Sequence, residues 1–104
     1  MKKIFYKSGQ VWSLKDRNDI KILILKEEIL NNLNIVHISI LRDGIDEGCH
    51  MPFHLKVIQS STSELFEESH VLPEYEDGYE YWVDLYEKGE AGVYSVSPSE
   101  AIDF

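Results

Sequence analysis

The chain is poor in cysteine and proline, and its second half is poor in positive charge. A single cysteine, Cys49, among 104 residues excludes any disulfide within one copy and fits a reducing compartment. Three prolines and six glycines, thinly scattered, leave no linker, repeat or low-complexity tract, so residues 1–104 read as one domain. Long hydrophobic runs are missing as well. The apolar stretches Ile22 to Leu25 and Ile35 to Leu41 are interrupted or too brief to span a bilayer. The apolar piece behind Lys2-Lys3 ends at Tyr6, far short of the hydrophobic segment of a signal peptide. The expected location is the cytoplasm, with no membrane segment.

The shortage of basic residues is local. Residues 1–60 carry nine Lys or Arg against seven acids, whereas residues 61–104 carry one base, Lys88, against twelve acids, for a net charge of −9. Affinity for nucleic acid comes from Lys and Arg neutralising phosphates, so nucleic acid is excluded as an expected partner.

Catalytic and metal-binding signatures are also lacking. There is no glycine-rich phosphate loop, no Gly-x-Ser-x-Gly and no basic aromatic stripe. Cys49, His50 and His54 offer three ligands within six residues, but zinc takes four, or three plus water, and no second Cys-x-x-Cys or His-x-x-His supports them. No metal and no cofactor is therefore expected. A Cys49/His50 nucleophile pair is disfavoured because neighbours along a strand point to opposite faces. His37, beside Ser39, reads as a satisfied sheet residue. The expectation is that the chain is no enzyme; a small hydrolase would need His37 and His50 in one pocket beside carboxylates.

What is present is apolar patterning, with 43% hydrophobic residues, enough for a core without staples. Ile4 to Tyr6 and Val11 to Leu14 read as a strand or bent strand pair, and Asp16-Arg17-Asn18-Asp19 as a turn. Ile20 to Lys26 reads as a central strand, with a turn at Asn31-Asn32. Asn34 to Leu41 is the clearest strand: Val36, Ile38 and Ile40 share one face, and His37 and Ser39 lie on the other with Ile35 and Leu41. Asp43-Gly44 signals a tight hairpin turn, with Ile45 to Met51 returning as an edge strand. From Pro52 the spacing of Leu55, Ile58, Leu65 and Phe66 predicts a helix, weakened or split by the Ser60 to Ser63 run. Tyr79, Trp82, Val83 and Tyr86 form one stripe of a second helix, with Glu76, Glu80, Asp84 and Glu87 opposite and Gly89 as its stop. Val93 to Val96 reads as a last strand, and Ser97-Pro98-Ser99-Glu100 opens a short helix over 98–104. The predicted fold is α+β: a mainly antiparallel sheet of about four to five strands, two helices on one face, and a short C-terminal helix.

Gly9-Gln10-Val11-Trp12, Val36-His37-Ile38-Ser39, His50-Met51-Pro52-Phe53 and, above all, Leu72-Pro73-Glu74-Tyr75-Glu76-Asp77-Gly78-Tyr79 occur in an order that resembles an uncharacterised family of short bacterial proteins. Trp82, Gly89, Ala91-Gly92-Val93 and Glu100-Ala101-Ile102 extend the resemblance across nearly the whole chain. It implies no activity, because none is established for that family; Cys49 stands where its members usually carry glycine.

Function is read from charge. Ten acids and one base lie between Glu64 and Glu90, interleaved with Tyr75, Tyr79, Tyr81, Trp82 and Tyr86. Negative charge beside rigid aromatic anchors is the composition of a protein interface. The expected contact residues are Glu74, Tyr75, Glu76, Asp77, Glu80, Tyr81, Asp84 and Glu87. The expected partner is a basic protein, and in its most specific form the expectation is an immunity-type protein that occludes a basic toxin such as a nuclease. The alternative is a housekeeping or regulatory domain that binds a small ligand or an assembly.

Overall fold

A computed structural model describes residues 5–102. The protein is α+β, built on one antiparallel sheet whose longest strands, β2 (Ile20–Leu30) and β3 (Leu33–Arg42), pair along their whole length. Their connection is a two-residue turn: Leu30 pairs with Leu33, and Asn31 and Asn32 both take positive φ, 50° and 66°. Asparagine tolerates this left-handed region better than other side-chain-bearing residues, and its twist matches the strands. Asp43-Gly44 repeats the device, with φ of 52° and 80°, between β3 and the short β4 (Ile45–Asp46).

Strand β1 (Val11–Leu14) lies on the other side of β2, and β6 (Thr62–Glu67) closes that edge against β1. Strand β5 (Met51–His54) pairs with the first half of β3, on the edge that β4 occupies further along.

Both faces of the sheet are covered. On the first, Ile20, Ile22, Ile24, Val36, Ile38, Ile40 and Phe53 form the main core with Leu55 and Ile58 of α1 (Leu55–Ser61) and Ala101 of α3 (Pro98–Ile102). Burial of each Ile, Val, Leu or Phe side chain among them contributes roughly 1.5–3 kcal/mol. On the second face Val11, Leu23, Leu25 and Leu41 form a smaller cluster under Leu72 and Tyr75, and α2 (Glu76–Glu87) is anchored there by Trp82. The sequence grouped the two main helices together; α1 instead shares its face with α3, and α2 takes the opposite one.

Helix α2 ends as its sequence predicts. Gly89 at φ 76° donates to the Tyr86 carbonyl at 3.0 Å and Glu90 to the Leu85 carbonyl at 2.8 Å, the paired bonds that close a helix over a left-handed residue. No helix among the described residues is long and apolar enough to cross a membrane.

Four local expectations are corrected. Pro52 lies in β5, and the helix expected from it covers only Leu55–Ser61. The Ser60, Ser61 and Thr62 hydroxyls bond back to the Val57 and Ile58 carbonyls, which stops the helix and frees Thr62–Glu67 to pair as β6. The edge strand expected over Ile45 to Met51 divides into β4 and β5 around Gly48, which has φ 70°. Val93 to Val96 contributes only a bridge between Tyr94 and Phe53. Of the N-terminal pair only Val11–Leu14 is a strand, with Phe5 to Lys7 irregular. Ile4 and residues 103–104 of the expected last helix lie outside the described residues.

Candidate functional site

The polar groups of the second face converge on His37. Along β2, Leu23 pairs with Ser39 and Ile24 with Ile38, but the next pair is Lys26 with His37, so Leu25 is the extra residue of a bulge. A bulge shifts the alternation by one. Beyond it the even-numbered residues Lys26 and Glu28 share the His37 face, while Glu27 turns to the other and accepts from the Tyr6 backbone N–H at 2.9 Å. The bulged Leu25 carbonyl accepts from Ser8 Oγ at 2.7 Å. On β3's opposite edge Pro52 pairs with His37. Further back, Cys49 packs against the first-face core while the His50 ring reaches His37. Cys49 and His50 thus serve opposite faces.

A hydrogen-bonded chain results. Tyr79 Oη donates to Glu28 Oε1 at 2.7 Å, Glu28 Oε2 meets His37 Nε2 at 2.5 Å, and His37 Nδ1 meets His50 Nε2 at 2.7 Å. Lys26 Nζ donates to Tyr79 Oη at 3.2 Å and sits 4.6 Å over that ring. The two imidazoles are joined edge to edge: their planes differ by 18°, and a 4.9 Å centroid separation is what an in-line bond between ring edges requires. Tyr79 and Trp82, one helical turn apart on α2, stand nearly perpendicular to His37, at 84° and 79°, and close it off. His37 is 0% exposed.

The protonation pattern of this chain follows from its ends. A carboxylate can only accept, so His37 carries its proton on Nε2 and accepts at Nδ1. His50 must therefore donate from Nε2, which leaves Nδ1 as a bare lone pair. Burial holds both imidazoles neutral at neutral pH: the pKa of His37 is lowered to about 4, with the neighbouring His50 adding to the effect against the opposing pull of Glu28. Burial lowers that of His50 too. The Tyr79 hydroxyl is pushed far above its ordinary value by burial and by its bond to Glu28. No buried polar side-chain atom of the described residues lacks a partner. His50, partly exposed, has its one side-chain bond at Nε2, so Nδ1 has no partner among these residues and is not fully enclosed. His50, Trp82 and Tyr94 are among the residues that line a cavity of about 410 Å³.

The residues expected from the sequence lie elsewhere on α2 and just before it. Glu74, Glu76, Asp77, Glu80, Asp84 and Glu87 are exposed, and Tyr81 stands out at 68% exposure. Tyr75 is half-buried: it packs on the Leu23/Leu25 cluster and its hydroxyl reaches the Leu25 carbonyl at 3.4 Å. Asp84 is paired with Lys88 at 3.0 Å. His54 is separate from His50 and lines another cavity with Leu55 and Lys56. No group of three or more His, Cys, Asp or Glu is gathered for a metal among the described residues.

Sequence reasoning named His37 and His50 but missed Glu28, Lys26 and the chemical part of Tyr79. The available signal was the charged run Lys26-Glu27-Glu28 inside a strand otherwise rich in Ile and Leu; the bulge that decides which acid faces His37 leaves no mark in composition. No protein-family model, curated protein or solved structure matches the chain.

Proposed function

We propose that the protein is an acidic protein-binding module whose outer α2 surface contacts a basic partner, in its specific form an immunity-type protein that covers a basic toxin such as a nuclease. One observation carries this reading: Glu76, Asp77, Glu80, Asp84 and Glu87 are exposed around the protruding Tyr81, while the aromatics that hold the helix down, Tyr79 and Trp82, point into the sheet. Acids so arranged steer a cationic partner and stand where phosphates would otherwise bind, and the aromatic ring supplies a rigid anchor. Electrostatically steered inhibition of a cationic nuclease by an acidic protein is the analogy behind the specific form.

The test begins with the product of the adjacent open reading frame, co-expressed and purified with this chain. A basic partner should associate at a rate that falls steeply as salt rises. Reversing Glu76, Glu80, Asp84 and Glu87 to lysine should slow association by at least about tenfold. Unchanged association after reversal defeats the reading. The competing reading, a housekeeping or regulatory domain, has no toxin gene as its neighbour.

A further inference from the structure

The imidazole chain has no part in the acidic-surface reading, and it ends in an unused acceptor. We propose that His50 Nδ1 is the anchoring atom of a small-molecule site, one that takes a planar, uncharged or cationic ligand presenting an N–H or O–H donor.

The polarity of the anchor is set from within. Glu28 is held by Tyr79 Oη at 2.7 Å and faces His37 Nε2 at 2.5 Å, so each imidazole has one allowed tautomer and the outermost nitrogen is left to accept. Histidines whose orientation is fixed by a carboxylate behind them are what ligand and proton-transfer sites use, because the ring does not have to reorganise when the ligand arrives. An isolated surface histidine interconverts tautomers and carries no such bias.

The cavity defines the ligand class. Its volume is about 410 Å³, enough for a small ring system, and it is a shallow groove open to solvent rather than an enclosed pocket. Pro52, Trp82, Val93 and Tyr94 supply flat or apolar walls, and no Lys or Arg lines it, so an anion finds no opposite charge there. The Trp82 indole N–H is already given to the Gly92 carbonyl at 3.0 Å, which fixes that wall and removes it as a competing donor. The far wall is tied down as well: Tyr94 N–H donates to the Pro52 carbonyl at 2.8 Å, and His54 N–H to the Tyr94 carbonyl at 3.1 Å. The walls are thus held in place by β5, α2 and the segment after it, and His50 and the Tyr94 hydroxyl are the polar side-chain groups among the lining residues.

A matched pair of probes tests this on the wild-type chain. Indole has the flat body and one N–H; 1-methylindole has the same body and no donor. In a titration followed by amide chemical shifts of residues 91–94 and by the ring nitrogens of His50, indole should bind about two- to tenfold more tightly than its methylated form, the range one net hydrogen bond supplies. Without ligand, the nitrogen spectrum should show His50 protonated on Nε2 and bare on Nδ1. The His50→Phe variant, which keeps a ring but removes the acceptor, should bind both probes equally. Equal affinity of the two probes for the wild type, no shift at residues 91–94, or a proton on His50 Nδ1 at neutral pH would each overturn the proposal. None of these measurements involves the α2 outer surface, so they stand or fall apart from the acidic-surface reading.

Discussion

At the scale of single residues, His37 shows how a sheet position becomes chemical. It is fully enclosed, and the groups facing it come from every element around it: Glu28 and Lys26 from β2, His50 ahead of β5, Tyr79 and Trp82 from α2. Enclosure favours the neutral ring, and the pKa drops from 6.5 to about 4. An unfolded chain takes up this proton at the ordinary value, so between the two the unfolded state binds more protons than the folded one. This contribution to stability is therefore fully present above the ordinary histidine value, is lost as pH falls toward about 4, and changes no further below it. The loss is on the order of 3 kcal/mol. Urea unfolding across that window should show a steep decline, and His37→Gln, which cannot titrate, should show a shallower one from a lower starting stability. Equal slopes in the two proteins would remove His37 as the cause.

At the scale of elements, the β2–β3 hairpin is the firmest structure and was the most legible. Alternation in Asn34 to Leu41 assigned its two faces, because a period of two has one solution once the apolar side is known. The turn itself can be tested. Asn31 and Asn32 both sit at positive φ, where glycine is unstrained and a β-branched side chain clashes. Asn32→Gly should raise stability by a few tenths to about 1 kcal/mol, the lower end reflecting glycine's extra unfolded-state freedom. Asn32→Val should lower it by about 1–2 kcal/mol. Thermal unfolding reads both, and a stabilising valine would contradict the turn geometry. Elements whose identity depends on distant partners were not legible. Thr62 to Glu67 has apolar residues at helical spacing with Leu55 and Ile58, yet β1 offers an open edge and the hydroxyl run breaks the helix first. The face taken by α2 was equally hidden, since β3 is apolar on both sides and only contact with His37 distinguishes them. The Leu25 bulge was hidden for the same reason, and with it went Glu28, the member of the imidazole chain that fixes its polarity.

At the scale of the whole molecule, the net charge of −9 is concentrated where folding gains least from it. On α2, Glu76 and Glu80, and Glu80 and Asp84, are like-charge pairs at i, i+4, while Asp84–Lys88 is the attractive one. Glu76 and Asp77 lie in the first turn, where the helix dipole favours acids, but Glu87 lies in the last, where it opposes them. Glu80→Gln with Glu87→Gln should therefore stabilise the protein, by about 0.5–1 kcal/mol at low salt. Added sodium chloride should raise the melting temperature of the wild type more than that of the double variant, because it screens the same repulsion. Urea and thermal unfolding at two salt concentrations measure both effects. If the double variant is less stable than the wild type, these acids serve the fold and the case for a contact surface loses its footing. If it is more stable and also binds a basic partner more weakly, the acids oppose folding and serve recognition, which is the trade a binding surface makes.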